Sequence, residues 1–325
     1  MKPAVLQQSG ELRTFVELRK RACEVGPRRV GVVLADDEVA LAAMADAFHS
    51  GMAFPVLIGD EKNTRAKAES LGLHELAAKA EFVSISEGAA AFAVKMAREG
   101  NIDILMKGHL RTDQLLRPVL NKEHGLRNGG LLSDVAFFET SHTGETKLVG
   151  LTDGGLNVAP TLEQKKQIVL NAIAVLRCLG IHRPRIAVMS AIEVVSEAVP
   201  STVDAQALTE MGLAGEFGDA EVFGPLALDN ALLHSAARAK GINSGVAGNA
   251  DCLVVPSVEA GNLLGKAIHV LAGLEFGHVV VGAKVPILIP SRVEDAQTKV
   301  NTIALGVLYA GCSGANGRPL ATGKA

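Results

Sequence analysis

Val285-Pro286-Ile287-Leu288-Ile289-Pro290-Ser291-Arg292-Val293-Glu294-Asp295 decides how this 325-residue chain is read. Its first half is apolar at nearly every position, as in a strand covered on both faces within an α/β sheet. Its second half delivers a hydroxyl, a guanidinium and two carboxylates directly beyond that strand. Ligands of open α/β sheets bind outside the carboxyl ends of strands, so Ser291, Arg292 and Asp295 stand where an anion can be held and a proton moved. A plainer reading also fits: a Ser helix cap followed by first-turn acids. The local pattern admits both.

Working outward, strand-like apolar runs recur at 29–35, 54–59, 102–106, 135–138, 148–151, 185–189, 252–256, 278–282 and 285–290, many separated by helix-length segments. That alternation specifies the α/β class. The first run ends at Ala35-Asp36-Asp37-Glu38 and opens a helix through Val39, Leu41, Met44 and Phe48, with acids at its positive end. Another helix starts at Thr161-Leu162-Glu163-Gln164, carries Ile168, Ala172, Val175, Leu176 and Leu179 on one stripe, and stops at Gly180. It is read as the start of a second domain. No internal repeat or charge run interrupts the chain.

Composition narrows the function classes. A length of 325 residues suffices for two domains or one large unit divided by a cleft. A net charge of −3, a pI near 6.3, 3% aromatic residues and no Trp provide neither a basic footprint nor stacking platforms, so nucleic acid is not an expected partner. Cys23, Cys178, Cys252 and Cys312 lack Cys-x-x-Cys spacing and read as reduced thiols, which points to the cytoplasm. No stretch approaches the roughly 20 apolar residues of a membrane span, and the first twenty residues have no signal-peptide core. A mean hydropathy of +0.25 fits doubly covered sheets, with a subunit interface as a further sink for apolar surface. The nine His residues show no His-x-x-x-His pair, so no metal site is expected. Gly245, Gly248 and Asn249 precede a strand instead of following one, unlike a dinucleotide fingerprint.

Four ordered segments resemble the phosphate acetyltransferase and phosphate butyryltransferase family. They are Leu105-Met106-Lys107-Gly108 through Thr112 to Leu116-Arg117-Pro118, then Gly224-Pro225-Leu226-Ala227-Leu228-Asp229-Asn230-Ala231, then Val258-Glu259-Ala260-Gly261-Asn262, and finally the Ser291 run. Leu120-Asn121-Lys122-Glu123 and the short spacing from Ser-Arg to the acid bring the chain nearer the short butyryl-type members. The resemblance implies acyl transfer between coenzyme A and phosphate, with CoA a substrate and no resident cofactor, and a homodimer of two α/β domains. It also implies largely parallel sheets and an interdomain cleft, as in the isocitrate/isopropylmalate dehydrogenase-like fold. Residues 1–152 plus 288–325 would form the first domain and 153–287 the second.

By the same resemblance Ser291 donates to the tetrahedral oxyanion, Arg292 holds phosphate and developing charge, and Asp295 takes the thiol proton. Glu294 is the alternative base. Lys107 and Arg117 are expected to bind phosphate or acyl phosphate, Asp229 to stand near the cleft, and Glu259 and Asn262 to line it on a polar turn. Each has a plainer role available: a solvated strand-end Lys, a helix-surface Arg, first-turn acids and a simple turn. Gly224-Pro225 reads as a turn into a helix. Two departures accompany the resemblance: Phe223 stands where the family commonly has an acid, and Asp134 where many butyryl-type members carry His. Acyl-chain preference and direction do not follow. The rival readings are a metal- and nicotinamide-dependent decarboxylating dehydrogenase and a noncatalytic acyl-CoA-binding module.

Overall fold

The computed structural model describes residues 10–141, 144–291 and 294–312. The chain has an α/β fold built from mostly parallel strands and divides into two compact units. One comprises Val16–Gly130 and the described residues from Gly277 on; the other comprises Leu131–Phe276 and the described residues up to Phe15.

In chain order the first stretch contains α1 (Phe15–Val25), β1 (Arg28–Val33), α2 (Glu38–His49), β2 (Ala53–Gly59), α3 (Glu61–Ser70) and α4 (His74–Lys79). It continues with β3 (Glu81–Ser84), α5 (Ala89–Arg98), β4 (Ile104–Lys107) and α6 (Thr112–Val119). The middle stretch contains β5 (Ser133–Thr140), β6 (Lys147–Thr152), α7 (Leu162–Cys178), β7 (Arg185–Met189), α8 (Pro200–Leu213) and β8 (Glu221–Leu226). After it come α9 (Leu228–Leu232), α10 (His234–Ala239), β9 (Cys252–Val254) and α11 (Val258–Lys266), which runs into a π-helical turn at Ala267–Leu271. The chain then adds β10 (Phe276–Val281), β11 (Ile287–Leu288) and α12 (Ala296–Cys312).

In the unit that carries Ser291 the strands run β3-β2-β1-β4-β11-β10. All neighbours are parallel except β10 and β11, an antiparallel pair. Val30, Val32, Val33, Ile104, Leu105 and Met106 are buried, as doubly covered parallel strands require. Pro286 and Pro290 lack an N–H and confine β11 to two residues of the expected six, although Pro286 still accepts from Leu105 N at 3.1 Å. In the other unit the order is β5-β6-β9-β7-β8, parallel except for the β5–β6 pair. Phe138, Val149, Leu151, Ala187, Leu226 and Leu253 are among its core residues.

The expected helix at Thr161 forms: Thr161 Oγ1 accepts from Gln164 N at 3.3 Å, and Gln164 Oε1 accepts from Thr161 N at 2.9 Å. Gly180, at φ 84°, follows its end. Domain limits differ from those drawn on the sequence. The chain changes unit near 131 and 277, and not near 153 and 288. β5 and β6 pair with each other and β6 with β9, which ties 133–152 to the second unit; β10 pairs with β11, which ties 277–281 to the first. Among the described residues no helix is long and apolar enough to cross a membrane.

Candidate functional site

β1, β4 and β11 are parallel neighbours, so their carboxyl ends lie side by side. Asp36 and Asp37 follow β1, Lys107 ends β4, and Ser291 follows β11. Lys107 is 5% exposed, with Nζ 3.5 Å from the Gly108 carbonyl and 3.4 Å from that of Leu110. Gly108 is required by close approach, because a Cβ there would lie 2.3 Å from the Leu34 carbonyl oxygen. Its N–H donates to Val33 O at 2.9 Å, which presses the end of β4 against β1. Lys107 is thus an enclosed cation beside the Ser291 turn, and not a solvated strand-end lysine.

Ser291 is half-buried. Arg292 lies outside the described residues. Asp295 is exposed, and its Oδ1 accepts from Thr298 N at 2.7 Å, so Asp295 caps α12 where the plainer sequence reading assigned a Ser cap. Glu294 turns inward instead. Its Oε1 stands 3.8 Å from His278 Nε2 on β10, and both side chains are largely buried. Burial pushes the Glu294 carboxyl up, but the facing His278, then a backbone hydrogen bond from Ser291 and then Lys299 hold it net below its ordinary value. From α12, Lys299 Nζ donates to the Glu294 carbonyl at 3.2 Å and lies 3.9 Å from Asp37 Oδ1. Asp37 in turn caps α2, accepting from Ala40 N at 2.7 Å.

Arg117 sits in the last turn of α6, exposed, with no hydrogen-bond or ion-pair partner among the described residues. This position also agrees with the plainer reading of a helix-surface arginine. Sequence reasoning missed His278, Lys299 and Asp37. The legible signal for His278 was an ionisable residue inside an apolar strand run; for Lys299 it was a lysine among consecutive apolar and small positions of a helix.

Asp229, Glu259 and Asn262 lie in the other unit, beyond the carboxyl ends of the parallel strands β8 and β9. Asp229 is exposed on the first turn of α9. Two readings are corrected there. Gly224-Pro225 belongs to β8, not to a turn, and the chain bends only at Ala227. β8 ends the strand order, where a Pro without a donor is tolerated, and Gly224 is needed because a Cβ would meet Val188 O at 2.4 Å. Residues 259–262 are not a loop but the start of α11, capped by Ser257. Exposed Glu259 has its carboxyl held below the ordinary value by its own backbone N–H and by Ser257. Asn262 Nδ2 donates to Gly154 O at 3.4 Å.

Asp134 stands on β5 beside the buried Asp153. Asp153 accepts from Gly155 N at 2.9 Å, Leu156 N at 3.0 Å and Asn157 Nδ2 at 2.5 Å, while burial and then Asp134 raise its carboxyl above the usual range. Phe223 packs against the core of this unit, so no acid replaces it at that position. Burial also pushes the Cys252 thiol well up, which keeps it protonated. Among the described residues no three His, Cys, Asp or Glu side chains could together hold a metal ion.

The family profile described as "Phosphate acetyl/butaryl transferase" matches residues 77–307. The chain is 37% identical to the phosphate butyryltransferase of Clostridium beijerinckii over 92% of its own length and 98% of that protein. It is 40% identical to the phosphate acetyltransferase of Rhizobium meliloti, over 84% and 86%. Among solved structures, a branched-chain phosphotransacylase from Enterococcus faecalis aligns with a TM-score of 0.76 at 30% identity, covering 87% of this chain and 99% of that one.

Proposed function

The chain belongs to the phosphate acetyl/butyryl transferase family and is an acyltransferase, and from that premise we propose that it interconverts acyl-CoA plus phosphate with acyl phosphate plus free CoA. Transfer is direct, within a ternary complex. The CoA sulfur attacks the carbonyl carbon of the acyl phosphate, a tetrahedral oxyanion forms, and the carbon–oxygen bond to phosphate breaks as the thioester is made. The thiol, with a reference pKa of about 8.5, must lose its proton to attack well at neutral pH. Asp295 accepts it, exposed where a thiol can reach it, whereas the Glu294 carboxylate is turned in toward His278. Ser291 donates to the oxyanion, and Arg292 and Lys107 carry the phosphate charge with Arg117 as a further anion contact. Asp229, Glu259 and Asn262 serve as further substrate-binding residues.

The observation that most supports this reading is the parallel trio β1, β4 and β11, with buried Lys107 ending β4 and Ser291 following β11. The fold is read as isocitrate/isopropylmalate dehydrogenase-like, in a cytoplasmic homodimer that uses CoA as substrate and needs no resident cofactor. These relatives give no support to the dehydrogenase or the noncatalytic binding module. Thioester absorbance with free CoA and a panel of acetyl, propionyl, butyryl and branched acyl phosphates tests the activity and reads out acyl preference. Absence of thioester with every member of the panel would overturn it.

A further inference from the structure

Thr298-Lys299-Val300-Asn301 lies within α12 shortly after the Val285–Asp295 run, yet no step of the acyl transfer uses it. Lys299 is the unusual member. Its side chain is 3% exposed, and lysines are rarely enclosed so fully unless their ammonium is held. A methionine or leucine would fill the same space at lower desolvation cost, so the contacts of Nζ are what a lysine adds. Among the described residues Nζ reaches the Glu294 carbonyl at 3.2 Å, just ahead of α12, and Asp37 Oδ1 at 3.9 Å, inside the turn that follows β1, and its charge also acts on the Glu294 carboxyl. Because β1 and β11 flank β4, this link spans the strand end that bears Lys107.

We propose that Lys299 is a positioning residue for the acyl transfer, locking Glu294, next to the α12 cap Asp295, to the β1–α2 turn through Asp37. This rests on the acyltransferase reading of the Ser291 turn. A turn carrying both an oxyanion donor and a base must be held to within a fraction of an ångström, and a charge anchored between two turns does that where backbone hydrogen bonds alone leave slack. Asp37 suits the anchor because its own position is fixed as the cap of α2.

The test uses the full chain with Lys299→Met, Asp37→Asn and the double variant. Asn also caps helices, so Asp37→Asn should fold even if Lys299→Met does not. Each single variant is expected to lower kcat per folded molecule by about 10- to 100-fold while KM for CoA and for acyl phosphate stays within about twofold, and the double variant should lose little more than the worse single one. Hydrogen exchange of the amides at 294–299 should quicken in both single variants, a readout independent of the reaction. Unchanged exchange and unchanged kcat in Asp37→Asn would overturn the assignment, as would multiplicative losses in the double variant. A rise in KM for acyl phosphate at constant kcat would also overturn it, by making Lys299 a substrate contact. Wild-type enzyme without turnover, but with quickened exchange in the variants, would sink the acyltransferase reading and leave the clamp standing.

Discussion

Asp295 has two functions to reconcile, since one of its oxygens caps α12 while the proposed chemistry asks it to take a proton. An amide separates them. Asn caps nearly as well as Asp but accepts no proton, so Asp295→Asn should melt close to wild type and lose turnover by about 100-fold or more, with apparent CoA affinity retained. Asp295→Ala should in addition cost about 1 kcal/mol of stability. Melting curves beside steady-state kinetics check both; a silent Asp295→Asn with a slow Glu294→Gln would transfer the base to Glu294. Arg292→Ala should reduce turnover by about 100-fold or more, with Arg292→Lys recovering only part because a point charge replaces a fork. Normal phosphate saturation and turnover in the Ala variant would exclude that clamp. Glu294 makes a separate prediction in acid. Its folded carboxyl is held below the unfolded value, so its contribution is complete above about pH 4.3 and is lost as pH falls through the lower folded value. Urea unfolding between pH 5 and pH 3 should therefore show wild-type stability falling more steeply than that of Glu294→Gln. Parallel slopes would mean that His278 does not hold the carboxylate. Sequence spacing set Ser291, Glu294 and Asp295 close together along the chain beyond β11. It could not reveal which acid faces inward, because the partner that decides this, His278, comes from another strand.

Elements were legible where burial is two-sided and obscure where it is not. β1, β4 and β7 stand out as unbroken apolar runs, whereas β3 is a four-residue edge strand, Glu81–Ser84, whose half-exposed residues carry no continuous pattern. β8 hides behind Gly224-Pro225, a pair that marks turns except where an edge strand needs no donor and a neighbouring carbonyl leaves no room for a Cβ. α11 hides behind Glu259-Ala260-Gly261-Asn262, read as a polar turn. Its glycine serves close packing: a Cβ would lie 2.6 Å from Gly154 Cα and 3.0 Å from Asp153 O, and backbone cannot give way as a side chain does. Gly261→Ala should cost on the order of 1–3 kcal/mol and push α11 off the Asp153 turn. Gly265→Ala, four residues on, meets only Leu151 Cδ2 at 3.5 Å and Phe276 Cζ at 3.7 Å, so it should be neutral or stabilising by up to ~1 kcal/mol. Paired melts decide the matter, and equal effects would remove the packing argument.

The whole chain is interleaved, since the unit begun at Val16 is left at Gly130 and completed only after Gly277. The first crossing did carry a signal in Asn128-Gly129-Gly130, where Gly129 sits at φ 92°. The second has none, because it coincides with the start of a buried strand and no linker composition marks it. What returns after Gly277 is not peripheral. Every residue of α12 from Thr298 to Tyr309 is buried, the pattern of a helix covered all round, and β11 supplies the second neighbour of β4. Arg19 Nη1 also donates to Asn301 Oδ1 at 2.6 Å, tying α1 to that helix. A chain ending at Phe276 would keep all five strands of one unit and deprive the other of two strands and its central helix. Limited proteolysis of that chain should cut within 16–130, where β4 now has a bare edge and the apolar faces that α12 covered meet water, while 131–276 stays resistant. If 16–130 remained as protected as in the full chain, the core of that unit would not depend on α12, and the anchoring of the Ser291 turn by this helix would lose its structural basis.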